Sequence, residues 1–189
     1  MVSMPEEKTL NLRSPEVLFD LFTKEFPKFN LKWGNWTEWT GRLLGFFTKL
    51  GKQYGYDIRG GEKASEYLVD LCWIGSLKEH AWIELVLEEE LSYYDIDSIS
   101  EDFSKIVDLK AYIKVGIFSP RLAEREEALQ SLESLVTYSE PKIPTERYLV
   151  IFILDHGKKE KKAQRIEIVG YELNYLGDSK LIKSVRFTG

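Results

Sequence analysis

Two stretches of this chain place acids where acids are costly. Tyr67-Leu-Val-Asp-Leu-Cys-Trp73 holds Asp70 inside an otherwise apolar run, and Ala81-Trp-Ile-Glu-Leu-Val-Leu-Glu-Glu-Glu90 ends in three carboxylates. Soon afterwards Asp102-Phe-Ser-Lys-Ile-Val-Asp-Leu-Lys110 adds acids and lysines with helical character. A carboxylate among strand apolars is expensive unless it is paired or coordinates a cation. The chemistry that suits such a set is metal-assisted hydrolysis. Two carboxylates hold a hard divalent ion, which activates a water and neutralises charge on a phosphodiester. The plainer alternative is a solvated acidic strand face, with Asp70 near an edge beside a lysine.

Strand alternation sorts the acids. Residues two apart share a face, so Glu88 and Glu90 point one way and Glu89 the other. A hairpin turning symmetrically about Leu77-Lys78 sets Asp70 opposite Val86. Glu84 and Glu88 are then both diagonal neighbours of Asp70, at roughly 7–8 Å between backbone positions. Periodicity does not choose between them.

The elements that must position these acids can be read from pattern and punctuation. Ser14-Pro15 with Val17, Leu18, Leu21 and Phe22 predicts a capped helix with proline in its first turn. From Asn35, the residues Trp36, Trp39, Leu43, Phe46, Phe47 and Leu50 recur at helical spacing up to a stop at Gly55. Tyr56 to Arg59 is a short strand before the Gly60-Gly61 break. Tyr67–Ile74 and Ala81–Glu90 form an antiparallel hairpin joined through Gly75-Ser76 and a few polar residues. Ser98-Ile-Ser-Glu101 has a capping-box spacing and opens a helix to about Tyr112. Lys114 to Phe118 is a strand, and Ser119-Pro120 caps a helix whose stripe is Leu122, Leu129, Leu132, Leu135 and Val136. Arg147 to Leu154 is apolar at nearly every position, as in a strand covered on both faces. Later strands run over Arg165–Leu173 and Leu181–Phe187. This alternation makes an α/β sheet with helices on its faces.

Bulk properties narrow the function classes. At 189 residues, 43% hydrophobic and 30% charged, the chain is long enough for one domain with a real core. The longest apolar run, Tyr148 to Leu154, is too short to span a bilayer, and Met1 to Leu10 has no apolar signal region. The single cysteine, Cys72, excludes an intrachain disulfide and a zinc finger and fits a reducing cytoplasm. A net charge of −5 argues mildly against a surface built only to hold nucleic acid, yet a local basic patch can still hold phosphates.

The remaining candidates have ordinary explanations beside the functional ones. Trp33, Trp36 and Trp39 could stack bases, although their spacing fits one buried stripe. Lys158, Lys159, Lys161 and Lys162 could meet phosphates or form a solvated turn. His80 and His156 lie near predicted turns with nothing to pair them. No Walker-type glycine loop and no nucleophile-elbow serine occurs.

Asp70 on one strand, an acid on the next, the helix bearing Asp102-Phe103-Ser104-Lys105, and the strand Lys114-Val-Gly-Ile-Phe118 together resemble the PD-(D/E)XK nuclease superfamily. The order of elements from Asn35 to about Leu154 is similar to the restriction-endonuclease-like core, a mixed central sheet flanked by helices. The resemblance implies a domain of residues 1–189, with a helical extension at 1–34, the core at 35–154 and completing strands at 155–189. It implies phosphodiester hydrolysis in nucleic acid, DNA first, with Mg²⁺ or Mn²⁺. Asp70 then matches the first metal-binding acid and Glu88 the second, with Glu90 assisting. The family usually places a lysine two residues after the second acid, where this chain has Glu90. Some members take that lysine from the following helix, which nominates Lys105, and Lys105 as an ordinary solvated lysine stays open. An inactive binding module is the alternative. The family often has an acid on the preceding helix. Glu38 is its counterpart here, although Asn35-Trp-Thr-Glu38 also has the spacing of a helix cap with its reciprocal acid. Cutting both strands of a duplex would suit a homodimer.

Overall fold

In the computed structural model, residues 10–29, 34–60, 69–92, 95–157 and 165–188 are described. Trp33, Tyr67, Gly61 and the Lys158–Lys162 run lie outside them, as do the functions considered for Trp33 and those lysines.

The first helix, α1 (Pro15–Glu25), starts as its sequence requires. The Ser14 hydroxyl accepts from the Val17 N–H and Pro15 occupies the first turn. After a short 3-10 turn at Phe26–Phe29, α2 (Trp36–Gln53) buries Trp39, Leu43, Phe47 and Leu50. Seven strands follow in one sheet, ordered as in the chain: β1 (Asp57–Gly60), β2 (Leu71–Leu77), β3 (His80–Glu90), β4 (Ile113–Phe118), β5 (Arg147–Asp155), β6 (Arg165–Leu173) and β7 (Ser179–Thr188). β3, β4 and β5 are parallel neighbours and every other pairing is antiparallel. The parallel links need crossovers. These are α3 (Ile96–Asp108) and α4 (Arg125–Tyr138). The result is the mixed α/β sheet with helices on its faces that the pattern predicts.

Alternation then divides the core. Leu71, Trp73, Leu85, Leu87, Val115, Ile151 and their neighbours pack under α1 and α2. Cys72, Val86, Phe118, Val150 and Phe152 pack under Ile99, Phe103 and Ile106 of α3 and Leu132 and Val136 of α4. Each buried side chain of this size contributes about 1.5–3 kcal/mol. β5 is buried at every position from Tyr148 to Leu154, as a strand covered on both faces must be.

Local details depart from the sequence reading, and one of them decides the site. The β2–β3 turn is the tight pair Lys78-Glu79, with Lys78 at φ 54°, and Gly75-Ser76 lie inside β2. A bulge follows: Trp73 pairs with Leu85 but Ile74 pairs with Ile83, so Glu84 has no partner across the ladder. Turn and bulge together shift the register, and Leu71 pairs with Leu87. Asp70, in the bend just before β2 rather than within a strand, therefore stands level with Glu88 and not Val86. The cap of α3 is Asp95, whose carboxylate accepts from the Ser98 N–H, so the helix begins a turn before the Ser98 box. Ser119 does not cap α4 either. Its hydroxyl donates to the Ile153 carbonyl at 2.8 Å, and α4 starts at Arg125.

Candidate functional site

Asp70 is held by backbone on two sides. Gly60 ends β1 opposite Leu71, at φ 81°, and a Cβ there would sit 2.4 Å from the Asp70 carbonyl oxygen. Only glycine lets β1 close over this bend. The Asp70 side chain is aimed across to β3, where its Oδ2 accepts from the Glu89 N–H at 2.9 Å.

Glu88 is buried on the α3 face of β3, and its carboxyl meets that of Asp70. Burial, then the Asp70 charge, pushes Glu88 up to about 9. Burial also raises Asp70, against the lowering effect of the Glu89 N–H. The ladder partner of Glu88 on β4 is Gly116, and the space a Cβ would take there is filled by the Phe118 and Phe103 rings. Rings in place of water keep the surroundings of Glu88 apolar. Lys105 reaches in from α3 with its Nζ 3.9 Å from Glu88 Oε1 while bonded to Asp102. The Asp102 bond leads the influences that raise its pKa.

The bulge separates Glu84 from this group. Its carboxylate lies on the other side of the sheet in a two-point pair with Arg13, and Trp82 Nε1 donates to its Oε2 at 2.8 Å. Burial opposes ionisation of Glu84, but the Arg13 and Trp82 bonds outweigh it and leave the pKa lowered. Between Glu84 and Glu88, the acid beside Asp70 is therefore Glu88.

Two nominated acids turn elsewhere. Glu90 accepts from the Ser92 N–H and hydroxyl at 2.7 Å each. Glu38 is exposed and accepts from the Asn35 side-chain amide at 2.9 Å, so a partner within its own first helical turn engages it. The Asn35 side chain donates there and makes no cap bond to the helix backbone. Trp39 is fully buried, with Trp36 packed beside it, as the stripe reading expects. Cys72 is buried, and burial pushes its thiol up to about 12, which makes it a poor nucleophile. His156 lies against Glu167 at 2.5 Å, a pairing invisible in sequence.

Alternation sends Glu89 to the face opposite Glu88, and the structure places it there. On the α2 face it bonds to Thr40, burial raises it to about 7, and its Oε2 is buried without a hydrogen-bond partner. The signal for it was the run of three acids itself. Lys114 was equally hidden: 1% exposed, it donates to Glu146, the Val107 carbonyl and the Tyr148 hydroxyl. Among the described residues, no group of three His, Cys, Asp or Glu side chains is gathered as metal ligands. No helix among them is long and apolar enough to cross a membrane. A scan against protein-family models found no match to this chain, and a search of the curated proteins found none.

Proposed function

We propose that this chain is a divalent-metal-dependent nuclease with a restriction-endonuclease-like core, hydrolysing phosphodiester bonds in nucleic acid, with DNA the first substrate to test. The observation that carries the reading is the meeting of the Asp70 and Glu88 carboxyls near the C-terminal end of β3, with Lys105 3.9 Å from Glu88. The succession α2, β1–β2–β3, α3, β4 supports it, being the order of elements that the resemblance implies. In an open α/β sheet, ligands favour the carboxyl ends of parallel strands.

The donor set fits magnesium or manganese. Both acids offer hard oxygens, and magnesium is commonly held by one or two carboxylates while keeping several waters. Two protein ligands are therefore enough. Asp70 and Glu88 would hold the ion, which when bound supplies an activated water and neutralises phosphate charge. Without it, the buried Glu88 carboxyl keeps its proton beside Asp70, and that proton must leave before both carboxylates can act as ligands. Lys105, already at the rim of the pair, would steady negative charge as it develops on the phosphate. Cleavage of both strands of a duplex would call for a second copy of the chain.

One observation favours the second reading, a nuclease-like fold that binds without cutting. The Lys105 ammonium is bonded to Asp102, and position 90 holds a glutamate that bonds Ser92. Cleavage of supercoiled plasmid and of single-stranded DNA, with Mn²⁺ or Mg²⁺, separates the two. Asp70→Asn and Glu88→Gln are expected to lower cleavage at least about a hundredfold, the scale of losing a metal ligand or its support. Wild-type rates in both variants would overturn the nuclease. Metal binding without cutting would select the second reading.

A further inference from the structure

Between α1 and α2 runs a groove of about 490 Å³. Lys24 and Lys28 line it from α1 and the 3-10 turn, Arg42 and Lys49 from α2, with Gly45 and Phe46 beside them. Arg42 and Lys49 are seven residues apart, so they share a face of α2 and stand about 10 Å apart along it.

The charge of this groove runs against the balance of the chain. The protein is net −5, yet Lys24, Arg42 and Lys49 are exposed and make no ion pair among the described residues. The acid on the lining, Glu25, is taken by Lys28 at 2.6 Å. Cations left uncompensated along one groove attract a polyanion.

Gly45 adds a second feature. It is exposed in the interior of α2, where glycine weakens a helix relative to alanine. A Cβ there would meet nothing within 4 Å among the described residues, so no packing inside the chain requires glycine. It leaves backbone bare beside Phe46 and lets a partner come close. Phe46 is half-buried, and Phe47 and Phe22 hold its ring at centroid distances of 5.0 and 5.8 Å. A fixed aromatic ring in a cationic groove is the arrangement that takes stacked bases along a single strand.

Position ties the groove to the acid pair. Thr40, two residues before Arg42, bonds the Glu89 carboxyl, and the Glu89 N–H donates to Asp70. The Arg42 end of the groove is therefore the end nearer Asp70 and Glu88. Helices packed side by side stand about 8–10 Å apart, which leaves room between their crests for one strand and not for a duplex.

We infer that the groove holds a single-stranded nucleic acid, its phosphates on Lys24, Arg42 and Lys49 and a base on Phe46. The inference rests on the nuclease reading and makes the substrate of that reaction single-stranded.

Fluorescence anisotropy of a labelled oligothymidylate of about 20 nucleotides, titrated with the full chain in EDTA, tests this without cleavage. The expected result is saturable binding with Kd about 1–100 μM at low salt. The logarithm of the association constant should fall against log salt with a slope of about −2, from three phosphate contacts at about 0.7 each. The variant Lys24→Gln/Arg42→Gln/Lys49→Gln should bind at least about tenfold more weakly, with that slope close to zero. Gly45→Leu fills the groove without changing charge and puts a better helix former in α2. It should also weaken binding at least about tenfold, as should annealing the strand to oligoadenylate. The inference is overturned if the oligothymidylate does not bind up to about 1 mM protein, if either variant binds it like wild type, or if the duplex binds as tightly. Poly-L-glutamate of the same length that binds as tightly as the strand overturns it in favour of an acidic protein. The nuclease reading fails separately. Groove-dependent binding without metal-dependent cleavage removes the enzyme and keeps the strand site, whereas cleavage by a chain whose groove variants bind like wild type removes only the groove.

Discussion

Glu84 and Glu88 stand four residues apart on one strand and meet opposite electrostatic surroundings. Arg13 and Trp82 hold Glu84 ionised, whereas burial and Asp70 push Glu88 up to about 9. The stability consequences have opposite signs. Glu88 has a folded pKa above its ordinary 4.5, so the folded chain binds an extra proton. Its contribution is complete below about 4.5 and is lost as pH rises toward 9. Glu84 is lowered, so its contribution is present above the ordinary value and is lost on acidification. In EDTA, Glu88→Gln should flatten the alkaline loss and raise Tm at pH 9 relative to pH 5, by several degrees for each 1–2 kcal/mol. Thermal unfolding at the two pH values checks this, and an unchanged alkaline slope would count against a buried, proton-holding Glu88. Lys114 and Glu146 give a second residue-scale expectation. Lys114→Met strands a buried carboxylate and should cost about 3–5 kcal/mol in urea unfolding, most of it recovered in Lys114→Met/Glu146→Leu.

Among the elements, β1 and the β2–β3 hairpin do the positioning. Gly60→Ala must both strain a residue at φ 81° and push on the Asp70 carbonyl. The expected cost is about 1–3 kcal/mol, together with at least tenfold weaker Mn²⁺ binding. A loss of stability with metal affinity intact would show that β1 does not set Asp70. The two strands, their order and the shared face of Asp70, Cys72 and Glu88 follow from alternation. The bulge at Glu84 does not, because nothing in Trp-Ile-Glu-Leu-Val announces an unpaired residue. It is revealed by the ladder, where Ile74 pairs with Ile83, and the unpaired residue goes to Arg13, 71 positions away. A symmetric turn centred on Leu77-Lys78 therefore gives a register two residues away from the observed one. The Ser98-to-Glu101 spacing mimics a cap and so hides the real one, Asp95.

For the molecule as a whole, the sheet is the organising unit. One inner strand, β5, is buried from Tyr148 to Leu154, and β6 covers the side of it away from β4 with Ile166, Ile168, Val169 and Leu173. Stopping the chain at residue 157 would expose that side and both cores beside it. Such a truncation is expected to lose its cooperative thermal transition, while the full chain keeps one; a cooperative truncated chain would contradict this. Two-sided burial of β5 was legible as a continuous apolar run. The Lys114–Glu146 pair beneath it was not, since a lysine in a strand reads as exposed until its partner, 32 residues on, is placed. The most direct test of the central claim is calorimetric titration of Mn²⁺ into EDTA-stripped, dialysed protein at neutral pH, wild type beside Asp70→Asn and Glu88→Gln. Saturable binding with proton uptake by the buffer is expected in the wild type, and at least tenfold weaker binding in both variants. No binding by the wild type, or equal affinity in all three proteins, would contradict a metal site at Asp70 and Glu88.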